Sequence, residues 1–211
     1  MQVTGSNRDK NRTARLSIRI PNGQSLHRDT LSIEDEVTAV ELTIEGSDVV
    51  AFPKELSERI DMRAMFAAAG ITIGEGCKVV IANTEGSIGY ALSISEECAQ
   101  WVEELRSKGL EVSLHTPLSK VVVRAIVGSR HPKTAVLLIA EGVTYAAVSH
   151  DKRVQFAEAL PMDGEEQIVN LLAHLNQDYD LGKARFILLG ESSAKYYKTI
   201  RKYFRRVSCE K

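Results

Sequence analysis

Near the C-terminus, Lys195, Lys198, Arg201, Lys202, Arg205 and Arg206 are interleaved with Tyr196, Tyr197, Tyr203 and Phe204. Cations that pair with phosphates and rings that stack on bases are the two parts of a single-stranded nucleic-acid site. The same pattern also describes a solvated helix face beside an apolar stripe, with cations favoured toward the helix C-terminus. Tyr196, Tyr197, Ile200, Phe204 and Val207 hold one helical face. That spacing fits a docked helix, so the solvated-face reading is preferred and nucleic acid is not the leading partner.

The remaining reactive side chains are scattered. His27, His115, His131, His150 and His174 include no i, i+4 pair, the spacing that presents two imidazoles to one metal on a helix. His174 falls within a helix and His150 in a turn, and both are expected to be partly exposed. Ser192 and Ser193 follow a strand and open a helix, as a nucleophile elbow does. The G-x-S-x-G pattern is missing, however, and helix capping accounts for both. Glu96-Glu97 and Glu165-Glu166 fall in first helical turns, where the macrodipole favours carboxylates. Cys77, Cys98 and Cys209 offer neither a disulfide framework nor a zinc spacing, and are expected as thiols in a reducing compartment. No catalytic residue, metal ligand or cofactor is assigned on these grounds.

The chain has 211 residues, a formal charge of −1, 44% hydrophobic and 26% charged residues. That is enough to bury a core without staples, as one large domain or two small ones. A near-zero charge provides no global field toward nucleic acid or anionic lipid. The opening residues are polar and basic and do not form a secretory signal. No apolar run approaches the roughly 20 residues that span a bilayer. The expectation is a cytoplasmic α/β protein with no membrane partner.

Periodicity then places the elements. Residues 1–13 are expected as a disordered tail. Arg15–Ile20 alternates as a strand, followed by the hairpin signal Asn22-Gly23. Leu31–Ile33, Val37–Ile44 and Val49–Phe52 read as further strands. Helical spacing follows from Leu56 through Ile60 and Ala64, or from an Asp61 cap to Ala69, with Gly70 as the stop. Lys78–Ala82 reads as a buried strand, and Ser87–Leu92 as another. A helix capped by Ser95 carries Cys98, Trp101, Val102 and Leu105 on one face, and Leu110–Leu114 returns as a strand. Val121–Val127 reads as a β-branched strand. Ala135–Ala140, Val143–Val148 and Val154–Leu160 read as a three-strand antiparallel meander. A helix opened by Asp163, with Glu166 in capping-box position, carries Ile168, Leu171, Leu172 and Leu175 inward. Phe186–Leu189 is expected to join the meander in parallel, before a last helix that starts after Gly190.

Three antiparallel strands followed by helix, strand and helix resemble a ribonuclease H-like unit, and two such units in tandem make the actin-like ATPase fold. Val136 to Tyr145 is similar to the second phosphate hairpin of that superfamily, and Ile187 to Ser192 to the glycine turn beside the adenosine. From about Arg15 to Val207 the chain resembles an uncharacterised bacterial family with a divergent actin-like fold and no assigned activity. The resemblance implies two βββαβα halves, 14–115 and 116–211. It implies Glu141, Gly142, Thr144, Gly190, Glu191 and Ser192 as candidate nucleotide-binding residues. It also implies an acid at the end of the strand before each phosphate hairpin, to hold magnesium through water. Ala140 stands at that position in the second hairpin, and the first reads Pro21-Asn22-Gly23. Only Gly190 remains of the paired adenosine glycines.

Three functions follow as expectations. The first is a non-catalytic binding or scaffold protein with an unidentified protein partner and at most weak nucleotide binding. The second is a nucleotide-binding ATPase in which Glu141 reaches the metal. The third is a nucleic-acid-associated protein acting through Lys195, Lys198, Arg201, Lys202 and Arg205.

Overall fold

The computed structural model describes residues 2–8, 14–20, 37–83, 86–127, 131–162 and 164–210, with side chains from Arg15 onward. Asn22-Gly23, Leu31–Ile33 and Asp163 lie outside the described residues. The chain divides into two units, Met1–Thr116 and Pro117–Lys211.

In the first unit, β1 (Gln2–Arg8) is a strand where a disordered tail was expected. It pairs antiparallel with β2 (Ala14–Ile20), which runs parallel to β3 (Val37–Ile44). Then follow β4 (Val49–Pro53), α1 (Met62–Ala68), β5 (Cys77–Ile81), β6 (Ile88–Ser95), α2 (Glu96–Ser107) and β7 (Glu111–His115). β7 adds parallel to β3, which completes one sheet in the order β1-β2-β3-β7. β4, β6 and β5 are linked antiparallel in that order. In this unit β2 and β3 pair in parallel, and the antiparallel trio intervenes in sequence between β3 and β7.

Local chemistry sets the boundaries. Lys54–Leu56 forms only a 3-10 turn. α1 starts at Asp61, whose carboxylate accepts from the Arg63 N–H at 2.9 Å. Ser95 caps α2 by accepting from the Cys98 N–H at 3.2 Å. Trp101 and Leu105 are buried. Cys98 is also buried, and desolvation, with the Glu97 charge adding to it, pushes its thiol up to about 11. β5 is half-buried rather than fully buried, because it lies at the end of its sheet.

The second unit opens with α3 (Pro117–Val127), where a β-branched strand was expected. After the buried Pro117, its buried members Leu118, Val121, Val122 and Ala125 form a helical i, i+3, i+4, i+7 set. Burial on that face outweighs the modest helix penalty of valine, and Pro117 occupies the first turn, where a missing N–H is tolerated. β8 (Lys133–Ala140), β9 (Val143–His150) and β10 (Arg153–Leu160) form the expected antiparallel meander. α4 (Glu165–Tyr179) follows, then β11 (Arg185–Leu189), which joins β8 in parallel as expected. α5 (Ser193–Tyr203) leads to β12 (Val207–Glu210), parallel to β11. Val207 therefore belongs to a fifth strand and not to the last helix. Meander, helix, strand and helix match the ribonuclease H-like order, here in the sheet order β10-β9-β8-β11-β12.

The sheet of this unit is covered on both faces. Ala135, Leu137, Ala146, Val148, Phe186 and Leu188 share one face with Leu172 and Leu175 of α4 and Ile200 of α5. The opposite face meets α3, where the Ser149 hydroxyl donates to the Ala125 carbonyl at 2.6 Å. Leu171 is only partly buried, at the margin of the α4 core. The N-cap of α4 is Gly164, and Gln167, not Glu166, reaches back to its N–H at 3.2 Å. At the other end Asp180 adopts φ +48°. The Lys133 ammonium donates to the carbonyls of Tyr179 and Asp180 at 2.6 and 2.9 Å, as suits a helix C-terminus.

Candidate functional site

Parallel strands β8, β11 and β12 bring their C-terminal ends to one edge of the sheet in the second unit, the place where open α/β sheets receive ligands. The β8–β9 hairpin turns there in two residues. Ala140 pairs with Val143, and Glu141-Gly142 make the turn. Gly142 has φ +70°, which suits a residue without a Cβ. Leu138 pairs with Leu189, so Gly190 follows one step on, beside Ile139. Glu141, Gly142, Gly190, Glu191 and Ser192 are thus gathered at one sheet end.

Thr144 is not presented there. Alternation puts its side chain on the face of Ala146 and Val148, beneath α4 and α5. It is fully buried, and its hydroxyl has no hydrogen-bond partner. Glu141 is exposed in the turn, while the strand end itself is Ala140. Gly190 has φ +84°, and its N–H donates to the Glu210 carbonyl at 3.2 Å. A Cβ on Gly190 would stand 2.9 Å from Leu138 Cδ1. The glycine is therefore required by its own backbone and by Leu138, whether or not a ligand approaches. Ser192 holds the N-cap position of α5 without a side-chain cap bond, and Ser193 is buried, so capping does not account for these serines. Gly190→Ala is expected to cost about 1–2 kcal/mol, since the left-handed backbone disfavours any Cβ. Urea unfolding followed by circular dichroism measures it, and an unchanged midpoint would show that the turn adapts freely.

Two features escaped the sequence. The Arg124 guanidinium grips the Glu210 carboxylate, with Nε to Oε2 at 2.6 Å, and Arg185 lies 3.9 Å from the same group. The Arg124 hydrogen bond holds Glu210 below the usual carboxylate range and raises the guanidinium in turn. No local signal reveals a pair 86 residues apart. The second is a groove of about 540 Å³ between β10 and α4, walled by Phe156, Leu171 and Tyr179 and edged by Glu158, His174 and Asp178. Glu158 keeps solvent contact, but desolvation along these walls raises its pKa. His174 is exposed on α4, with Nδ1 2.9 Å from the Asn170 carbonyl, and His150 ends β9, 3.7 Å from Asp151. Among the described residues, no group of three or more histidines, cysteines or carboxylates gathers around a metal position.

α5 separates its two chemistries. Tyr196, Ile200 and Phe204 point inward, and the Phe186 and Phe204 rings stack with centroids 4.0 Å apart. Lys195, Lys198, Arg201, Lys202 and Arg205 are exposed. Lys195 lies 5.1 Å from the Tyr196 ring centroid, and Arg201 donates to the Tyr197 hydroxyl at 3.2 Å. The aromatics interleaved in sequence are thus mostly core, and Tyr203 is the large apolar side chain that α5 exposes. No helix among the described residues is long and apolar enough to cross a membrane.

No family model matches the sequence. No curated protein matches it either. Its structure is similar to that of a Bacteroides thetaiotaomicron protein with an actin-like ATPase fold and unknown function. The two share 13% identity over 95% of this chain and 92% of the other, with a TM-score of 0.71. The chain has a divergent actin-like fold. Weaker similarity extends to the cytoplasmic domain of EpsL, an inner-membrane component of the type II secretion system of Vibrio cholerae. That likeness has 12% identity over 93% of this chain and 85% of the other, with a TM-score of 0.43. The PilM–PilN type IV pilus biogenesis complex is similar at 12% identity over 81% and 69%, with a TM-score of 0.43.

Proposed function

We propose that this protein is a non-catalytic binding or scaffold protein, acting in the cytoplasm on a protein partner, that keeps the actin-like fold without its magnesium-dependent ATP chemistry. The observation that carries this reading is the end of β8. Ala140 stands where the resemblance asks for the metal-side acid, and Thr144, next to the turn, is buried. Phosphoryl transfer depends on positioning and on neutralising the phosphate charge, which a hairpin of Ala140, Glu141 and Gly142 does not supply. Cys77, Cys98 and Cys209 stand as free thiols, which fits a reducing compartment.

The test is calorimetry with ATP, with and without magnesium, followed by turnover at high protein concentration. The expected result is no magnesium-dependent hydrolysis and at most weak nucleotide binding through backbone N–H groups. Turnover that is lost in Glu141→Gln and kept in Glu158→Gln would overturn the reading and make Glu141 the metal-side acid.

A further inference from the structure

Two periodicities meet in the groove between β10 and α4. Past the bulge at Val154–Phe156, the pairing of β10 with β9 runs unbroken to Leu160, so Phe156, Glu158 and Leu160 share one face of the strand. On α4, Gln167, Leu171, His174 and Asp178 follow at i, i+4, i+7 and i+11, a single helical stripe. The Phe156 and Tyr179 rings meet with centroids 6.0 Å apart and planes at 51°. The start of the strand therefore lies at the end of the helix, and α4 runs back along β10. All of these side chains line one groove of about 540 Å³. From Gln167 to Asp178 it follows roughly 16 Å of helix. An extended chain of about five residues covers that length.

The walls have a sign. Among the described residues that line the groove, Glu158 and Asp178 are carboxylates, and there is no lysine or arginine. Neither carboxylate makes a hydrogen bond or an ion pair with a described residue. His174 turns Nδ1 to the Asn170 carbonyl, 2.9 Å away, and pairs with neither. The apolar walls desolvate Glu158 and raise its pKa, with no cation near enough to offset that. Asp178 occupies the last turn of α4, which carries no basic residue and where the macrodipole favours a cation over a carboxylate. Lys133 meets the same helix end at the carbonyls of Tyr179 and Asp180, and its carboxylate partner is Asp180, at 3.9 Å. Two uncompensated negative charges thus border a trench whose floor is apolar.

We propose that this groove docks a short segment of a partner protein in which a lysine or arginine is flanked by apolar side chains. The cation lies toward Glu158 and Asp178, and its apolar neighbours cover Phe156, Leu171 and Tyr179. The two rings also offer their faces to the cation. This rests on the binding-protein reading and deepens it by naming the partner's chemistry. ATP turnover would overturn that reading and leave a peptide result standing, and failure of the peptide would overturn the groove and leave the ATP result standing.

The probe is a displayed library of random nonapeptides, selected on the full chain. The selected peptides are expected to carry lysine or arginine beside apolar residues. Their affinity should fall at least about tenfold in the double variant Glu158→Gln with Asp178→Asn, which removes charge from two exposed side chains and leaves the core intact. It should fall comparably on the unaltered protein when norleucine or citrulline replaces the basic residue of the peptide, an arm that does not depend on any variant's folding. The two losses should sum to less than their separate values, because they delete the same contact. Binding should shift the amide resonances of residues 156–160 and 171–179. A library that yields no binder dependent on Glu158 and Asp178 overturns the proposal. So do binders indifferent to loss of their cation, which would dock by apolar contact alone. Hexylamine that competes at the peptide's own concentration would make this a site for small amines, and concentration-dependent dimers that shift the same resonances would assign the groove to a second copy; either result overturns the partner segment.

Discussion

Leu172→Ala is expected to lower the stability of the Pro117–Lys211 unit by about 2–5 kcal/mol. Leu172 is 2% exposed and sits among Leu137, Ile168, Leu175 and Ile200 in the core between α4 and the sheet. Truncation forfeits its transfer free energy, and a well-packed interior leaves a cavity that its surroundings fill only in part. Leu171, one residue away and half-buried, provides the internal control, and Leu171→Ala should cost clearly less. The sole tryptophan, Trp101, lies in the other unit. Hydrogen exchange of the β8 and β11 amides reads it directly. A loss below roughly half a kcal/mol would mean that Leu172 is not packed as described.

Gly89→Ala should cost about 1–3 kcal/mol, this time in the Met1–Thr116 unit. A Cβ on Gly89 would stand 2.6 Å from Phe52 Cζ and 2.8 Å from Cε2. Phe52 is 4% exposed, in a cluster with Phe66 and Ala91, and its flat ring has little room to retreat. The backbone of Gly89 is not in the left-handed region. The cost is therefore overlap and not backbone strain, and shrinking the ring should recover part of it. In the double variant Gly89→Ala with Phe52→Leu, the two losses should sum to less than their separate values, because the sites share one contact. Trp101 fluorescence in urea is a suitable readout. Strict additivity would show that Phe52 does not press on Gly89.

The sequence legibly encoded elements whose stability is mainly local or whose pattern repeats. Three apolar runs separated by Glu141-Gly142 and by the turn after His150 could form little but a meander, and the register confirms it. Ser95, Asp61 and Gly70 announced helix ends, because capping bonds and left-handed turns span only a few residues. At Val121–Val127 β-branched content favours a strand, but burial at 118, 121, 122 and 125 has the helical period, and the buried face decides. Val207–Glu210 was too short to announce itself and became a strand only through β11 beside it.

The residues of the candidate site, though not their arrangement, were equally legible. The sequence by itself determined that Glu141-Gly142 and Gly190 sit in turns after strands, since turn chemistry is local. It also determined that an alanine ends β8. Only tertiary structure decided that these turns meet at one sheet end, that Thr144 faces the core, and that Gly190 is held by Leu138. The same holds for the Arg124–Glu210 pair and for the open edge of β5. Each of these depends on which strands become neighbours. Strand order is set by the burial of whole faces and by crossover connections, so no window of a few residues contains it.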